Sequence, residues 1–187
     1  VLSLCSNSIA FVDGLDALGD SLLDLRLSEN RLKHLDGFDA LVKLRDLRVD
    51  RNMITTLDGL QRCANLGSLD AAHNAIDRVR EVEHLADLPL LSDLVLCGNA
   101  CADLHLYRPR LLLRLPRLAR LDHTPVSSEE KVKAINIHGG DDSDLQHRAE
   151  THKQHFTLKP AARADVDGQP LLEEPWENHL PPFREPE

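Results

Sequence analysis

Three histidines near the C-terminus come nearest to the residues of a metal site. His152 and His155, three residues apart, share one face of a predicted helix, and His147 precedes them. A zinc site needs a fourth ligand at suitable spacing, and the sequence supplies none. Solvent-facing histidines on a polar helix are the commoner arrangement, so we predict no metal and no cofactor.

Signatures of catalysis are also missing from the sequence. It contains no nucleophile elbow, no phosphate-binding glycine loop and no HExxH motif. The pair Gly139-Gly140 marks the end of a helix, because no Gly-Lys-Ser/Thr follows it. We therefore predict a protein with no catalytic residues and no enzymatic activity.

Five asparagines recur at a nearly fixed spacing, each after an apolar strand pattern. They are Asn7, Asn30, Asn52, Asn74 and Asn99, separated by 23, 22, 22 and 25 residues. Alternate residues of a short strand point inward, so the leucines before each asparagine enter a core. The chain then turns back, and we expect each asparagine amide to bond buried backbone groups of the turn.

A second motif, Asp-Gly, follows in step with the first. It occurs as Asp13-Gly14, Asp36-Gly37 and Asp58-Gly59. Glycine accepts a positive φ angle, so each pair favours a turn into the segment that returns along the convex side. Two coincident periods indicate a solenoid built from repeats of about 22 residues.

These residues resemble the 22-residue leucine-rich-repeat class, typified by the leucine-rich regulatory subunit of protein phosphatase 1 and the leucine-rich light chain of outer-arm dynein. The resemblance covers about residues 1 to 140 and includes the LxxLxLxxN/CxL pattern. It implies an α/β fold: a right-handed solenoid with a concave parallel β-sheet, a C-terminal cap and an extended helix and coil tail. Tyr107-Arg108 and Leu115-Pro116 stand where the family's cap has them.

Composition limits the classes of partner. The chain has 187 residues and a net charge of -9, which opposes a general attraction to nucleic-acid phosphates or anionic lipid. No apolar run approaches the roughly 18 residues that span a bilayer. We predict a cytoplasmic protein that binds neither nucleic acid nor membrane. The sequence begins at Val1 in mid-motif, so we also expect further residues before it, including a polar capping unit.

The four cysteines fit a core better than a disulfide framework. Cys101 takes a position that Ile54 and Ile76 fill in earlier repeats, so we expect it to be buried. Cys5 and Cys97 face outward four repeats apart, about 20 Å at roughly 5 Å per strand, which is too far for a bridge. Free cysteines suit a reducing compartment.

The sequence divides into three predicted regions. Residues 1–124 form the solenoid with its C-terminal cap, residues 125–156 a helical extension, and residues 157–187 a proline-rich acidic docking tail. In the extension, a capping box predicts a helix from about Ser128 to His138. A second helix is expected to end near Phe156.

The tail contains six of the ten prolines and seven acidic against three basic residues. Such a composition cannot bury enough surface to fold alone, so we expect it to be disordered in isolation. Proline restricts the chain to extended conformations and large apolar residues provide anchors, as in linear docking segments. The predicted anchors are Leu171, Leu172, Trp176, Leu180 and Phe183.

The outward residues of the strands define the concave face, which we predict to bind a partner. Like charges stack within its columns, for example Arg26 beside Arg48, which is unfavourable unless a partner compensates. Alternatively, Asp24 with Arg26 and Asp46 with Arg48 neutralise each other on a solvated surface. The predicted contact residues are Asp24, Arg26, Asp46, Arg48, Asp50, Asp70, Asp93, Val95 and Arg120.

These features predict a non-catalytic scaffold or adaptor in a multi-subunit complex. Short 22-residue-repeat proteins with a helix like Glu129–Ala134 after the cap resemble subunits of cilia and flagella. That resemblance implies tubulin, dynein or radial-spoke proteins as partners and the axoneme as location. Two alternatives stay open: a phosphatase regulatory subunit, disfavoured by a concave face without aromatic residues, and a ribonucleoprotein component, disfavoured by the negative charge.

Overall fold

The computed structural model describes residues 1–138, which belong to one compact unit, Val1–Asp142. Seven short strands form one sheet whose order in space follows the chain. The first six are parallel and the seventh runs antiparallel to the sixth. This confirms the predicted solenoid with a parallel sheet. The strands are β1 (Leu2–Ser3), β2 (Asp24–Arg26), β3 (Asp46–Arg48), β4 (Ser68–Asp70), β5 (Asp93–Val95), β6 (Arg120–Leu121) and β7 (Thr124–Pro125).

A column of leucines lines the inner side of the sheet. The strand register places Leu25, Leu47, Leu69, Leu94 and Leu121 side by side, and all five are buried. Because side chains alternate across a strand, the residues on either side of each leucine face outward. Full burial of a leucine stabilises a fold by about 1.5–3 kcal/mol, so stacking the repeats is what makes each repeat stable.

The return segments close the core from the other side. Short 3-10 helices occur at Asp16–Leu18, Val79–Leu85 and Ala100–Asp103, and most of the remaining return segments are turns or extended chain. Cys101 is buried in the core, as predicted. All four cysteines lie within the described residues and are free thiols.

Two of the Asp-Gly turns require glycine for two separate reasons. Gly37 and Gly59 have φ angles of +88° and +106°, which side chains of other residues rarely allow. A Cβ atom at Gly37 would also collide with the carbonyl oxygen of Val12, and one at Gly59 with that of Leu35. The predicted positive φ is therefore confirmed, and the turn backbone packs directly on the preceding repeat.

The asparagines join neighbouring repeats, as Asn52 illustrates. Its Nδ2 donates to the carbonyl oxygens of Leu27 at 2.9 Å and Val49 at 3.0 Å, while its Oδ1 accepts from the Leu32 N–H at 3.0 Å. Leu27 and Leu32 belong to the preceding repeat. Asn30, Asn74 and Asn99 make the same kinds of bond to the repeat before them. Asn7 donates to two carbonyls of its own turn.

Two packed helices, α1 (Tyr107–Arg114) and α2 (Ser128–His138), cover the C-terminal end of the sheet. Leu111 and Leu112 of α1 and Ala134 of α2 are buried between the helices and the last repeats. The bounds of α2 match the helix predicted from the sequence.

Arg108 of α1 fixes the position of α2. Its Nε donates to Oε1 of Glu130 at 2.7 Å, and its Nη1 donates to the carbonyl oxygen of Leu121 at 3.2 Å. Glu130 also accepts from the Ser127 N–H at 2.9 Å, and Ser127 Oγ accepts from the Glu130 N–H at 3.2 Å. The predicted capping box is therefore present, and it is held by an arginine from the preceding helix.

The predicted second helix to Phe156 and the tail anchors Leu171, Leu172, Trp176, Leu180 and Phe183 lie outside the described residues. Within residues 1–138, no helix has both the length and the apolar character to cross a bilayer.

Candidate partner-binding face

The strand register brings the predicted contact residues together on the concave face. One column follows the first residues of β2 to β6, and the next column follows the third residues of β2 to β5. A third column lies two residues further along each repeat and contains Ser28, Asp50 and Ala72. The first column is Asp24, Asp46, Ser68, Asp93 and Arg120, and the second is Arg26, Arg48, Asp70 and Val95.

Charges at both ends of this face are paired within the protein. Arg26 donates to both carboxylate oxygens of Asp24, at 3.2 and 2.9 Å, and this hydrogen bonding lowers the pKa of Asp24. Arg120 forms an ion pair with Asp93 on the neighbouring strand. These four residues neutralise one another. At the two ends of the face, the charges are therefore arranged as expected for a solvated surface rather than for a partner-binding one.

The centre of the face differs from its ends. Within residues 1–138, neither Asp46 nor Arg48 has an ion-pair partner within 4 Å, although they stand two residues apart on β3. The Ser28 hydroxyl donates to Asp50 at 2.5 Å, so in the described part of the chain Asp50 has a neutral partner but no cation within 4 Å. The predicted neutralisation of Asp46 by Arg48 is therefore not formed.

Asp70 is the half-buried charge of the centre. Burial raises the pKa of its carboxyl group, and the negative charge of Asp50 raises that pKa further. Three influences oppose the shift: the Ala72 N–H, which donates to Asp70 Oδ1 at 3.1 Å, the imidazole of His123 and the guanidinium group of Arg48. The net direction is upward, so ionised Asp70 lacks adequate compensation in the isolated protein.

Small side chains lie flush with the sheet next to Asp70. Ala72 is 6% exposed and Val95 is 5% exposed, although both belong to outward columns. Val95 was predicted to contact a partner, but it offers little side-chain surface to one.

Cysteine chemistry does not add a site to this face. The Ser3 hydroxyl donates to the Cys5 thiol at 3.5 Å and lowers its pKa, whereas burial raises the pKa of Cys97. Among residues 1–138, no group of three or more His, Cys, Asp and Glu side chains is placed to hold a metal ion.

Sequence reasoning missed the contribution of Asp122. Its Oδ1 accepts from the Leu96 N–H at 2.7 Å and its Oδ2 accepts from the Tyr107 hydroxyl at 3.0 Å. Burial raises the pKa of Tyr107 above its usual range. These bonds hold the turn that carries His123, whose imidazole lowers the pKa of Asp70. In the sequence, the only indication that Asp122 belongs to this face was its position two residues after Arg120, which places it in the same column as Val95.

The family model described as Leucine-rich repeat matches residues 1–148. Human Leucine-rich repeat-containing protein 23 is 34% identical over 131 residues, which are 70% of this chain and 32% of that protein. Mouse Cilia- and flagella-associated protein 410 is 35% identical over 103 residues, 52% of this chain and 41% of that protein. This chain thus spans well under half the length of either relative.

Solved structures show the same architecture. The crystal structure of the Drosophila melanogaster SNF/U2A' complex contains a chain that matches with a TM-score of 0.69 at 23% identity. The match covers 80% of this chain and 86% of that chain, and at this identity it shows the fold alone. With the repeats, the sheet and the match over residues 1–148, this chain belongs to the leucine-rich repeat family.

Proposed function

We propose that this chain is a non-catalytic scaffold of a ciliary or flagellar assembly and that its concave face holds a partner protein. The observation that carries the proposal is the centre of that face. There, Asp46, Arg48, Asp50 and Asp70 point outward on a rigid sheet without ion pairs among the described residues. Another protein with complementary charges would gain affinity and orientation from them.

The ciliary part of the proposal rests on similarity. A relative that is 35% identical over 103 residues is named as cilia- and flagella-associated, and the helix Glu129–Ala134 resembles that of axonemal family members. Tubulin, dynein and radial-spoke proteins are the proposed partners. In this proposal residues 1–124 supply the concave face, residues 125–156 extend the cap, and residues 157–187 supply a separate docking segment.

Affinity capture from ciliated cells, using the whole protein with a tag, tests this function. The variant Asp46→Lys/Asp70→Lys reverses two charges of the concave face. Its control, Asp39→Lys/Asp87→Lys, reverses two exposed charges on the return segments. We expect axonemal proteins with the parent and the control, and their loss with the concave variant.

Two results would contradict the proposal. Capture of the same partners by the concave variant would remove the concave face from the function. Capture of a phosphatase catalytic subunit, or of RNA-bound proteins, in place of axonemal proteins would favour one of the alternatives drawn from the sequence. A thermal melt of both variants shows whether a loss of binding is instead a loss of fold.

A further inference from the structure

The concave face has an uneven charge balance. It carries six carboxylates, Asp24, Asp46, Asp50, Asp70, Asp93 and Asp122, against three guanidinium groups, Arg26, Arg48 and Arg120. The two internal ion pairs remove two charges of each sign at the ends of the face. Four carboxylates then remain against one guanidinium group, and three of them, Asp46, Asp50 and Asp70, stand at the centre with Arg48. A partner that compensates this centre must bring positive charge.

The position between Asp50 and Asp70 is where the concave face would attract a positive charge most strongly. Asp70 ends β4 in register with Arg48, and Asp50 stands two residues beyond the end of β3, where its charge raises the pKa of Asp70. A guanidinium group carries five N–H donors in a planar fork, so one such group can donate to two carboxylates. The groups that already face Asp70 are Asp50, Arg48, His123 and the Ala72 N–H.

The residues beside Asp70 add little to a contact of their own. Ala72 is 6% exposed and Val95 is 5% exposed, so their side chains offer little apolar surface to a partner. The carboxylates of Asp50 and Asp70 are therefore the groups that a partner side chain meets there, and they match a cation.

We propose that the concave face takes a basic segment of the partner protein, with one cationic side chain seated between Asp50 and Asp70. This proposal rests on the proposed function and names the chemistry of the partner. Parallel strands are about 4.8 Å apart and a helical turn rises 5.4 Å. A helix laid across the strands therefore presents roughly one residue per turn to the sheet.

The probe is a helical peptide built from alanine with an arginine at every fourth position. One control peptide has citrulline in place of arginine, which keeps the shape and removes the charge, and a second has glutamate. Titration of the labelled whole protein is followed by nuclear magnetic resonance, which detects weak binding and locates it. We expect amide shifts within residues 46–50 and 68–72 with the arginine peptide, and a lower pKa for Asp70 when it is bound.

Protein variants test the seat itself. Asp70→Asn, which keeps the oxygen that accepts from Ala72, is expected to weaken binding of the arginine peptide at least about threefold. Arg48→Gln removes a repelling charge and is expected to strengthen it. The matched control Asp87→Asn makes the same chemical change at an exposed residue outside the concave face, and affinity should be unchanged.

Equal binding of the arginine and citrulline peptides, or no binding of the arginine peptide, would overturn the inference. Preference for the glutamate peptide, or for a single-stranded RNA added as a further control, would do the same. So would amide shifts that map outside the concave face. The capture experiment separates this failure from failure of the function. If Asp46→Lys/Asp70→Lys still loses the natural partner, the concave face keeps its role and only the basic character of the partner is wrong.

Discussion

Replacing Asn52 by alanine tests how the repeats are held together. The substitution removes the oxygen that accepts from the Leu32 N–H. The carbonyl oxygens of Leu27 and Val49 lose one donor each, but Leu27 keeps Asn30 and Val49 keeps Asn74. The lasting defect is therefore one buried N–H group without a partner, next to the fully buried side chain of Leu32.

An unpaired buried donor costs about 1–3 kcal/mol, so we expect Asn52→Ala to lower the free energy of unfolding by about 2 kcal/mol. For a unit of this size, that loss corresponds to a fall in Tm of about 5–8 °C. Thermal and urea denaturation of the whole protein, followed by circular dichroism, measure both quantities. The slope of the urea transition should not change, because the surface exposed on unfolding is the same.

Two variants isolate the cause. Asn65→Ala removes an exposed asparagine whose Nδ2 donates to the Val42 carbonyl oxygen, and it should cost less than about 0.5 kcal/mol. Asn52→Asp keeps an acceptor for Leu32 but turns the donor into an oxygen that faces two carbonyl groups, so it should destabilise at least as much as alanine at pH 7. If Asn52→Ala melts like Asn65→Ala, the asparagine ladder does not hold the repeats together.

Three further substitutions are predicted to change stability. Gly59→Ala should cost about 1–3 kcal/mol in urea denaturation because of its φ of +106°, whereas Gly67→Ala, with its nearest neighbours at 3.8 Å, should cost less than about 1 kcal/mol. Glu130→Gln should lower the free energy of unfolding by at most about 1 kcal/mol at pH 7. Hydrogen bonds from Arg108 lower the pKa of Glu130 from 4.5 to about 2. The stabilisation by Glu130 is therefore complete above pH 4.5 and disappears as pH falls towards 2. Asp70→Asn should raise Tm at pH 7, because burial raises the Asp70 pKa and the cost of the charged form appears as pH rises above 3.8; equal melts of parent and variant at pH 7 would contradict this.

Features with a local cause were predictable from the sequence. The Asp-Gly turns follow from the one residue type that accepts their φ angles, and the start of α2 follows from Ser127 and Glu130. The asparagine bonds follow from a repeat that must turn while buried. In each case, the structure could be predicted because the residue type meets a requirement of its own local backbone.

Other features depend on neighbours that the sequence does not reveal. Asp122 and His123 both have positive φ angles, +49° and +63°, and together they form the tight turn between β6 and β7. Two-residue hairpins of this type are usually marked by Asn-Gly or Asp-Gly, so Asp-His gave no signal. The bonds from Leu96 and Tyr107 to the Asp122 side chain help to hold the turn, and those partners are distant in the sequence.

Pairing on the concave face was predictable only as alternatives. The column pattern placed Asp24 near Arg26 and Asp46 near Arg48 in the same way, yet only the first pair forms. Arg26 is held against Asp24 by two hydrogen bonds, whereas Asp46 and Arg48 are both exposed and apart. An exposed pair gains about 0–1 kcal/mol and must offset the entropy of two side chains, so identical spacing does not decide whether it forms.

The repeat architecture separates the residues that set stability from those that set recognition. Each short strand contributes an inward leucine to the core and only two or three outward residues, at a spacing fixed by the sheet. Exchanging an exposed outward residue such as Asp46 alters the charge presented to a partner without opening the leucine column. Family members can therefore share this fold and bind different proteins, so the partner must be inferred from the outward residues of this chain and not from the repeat.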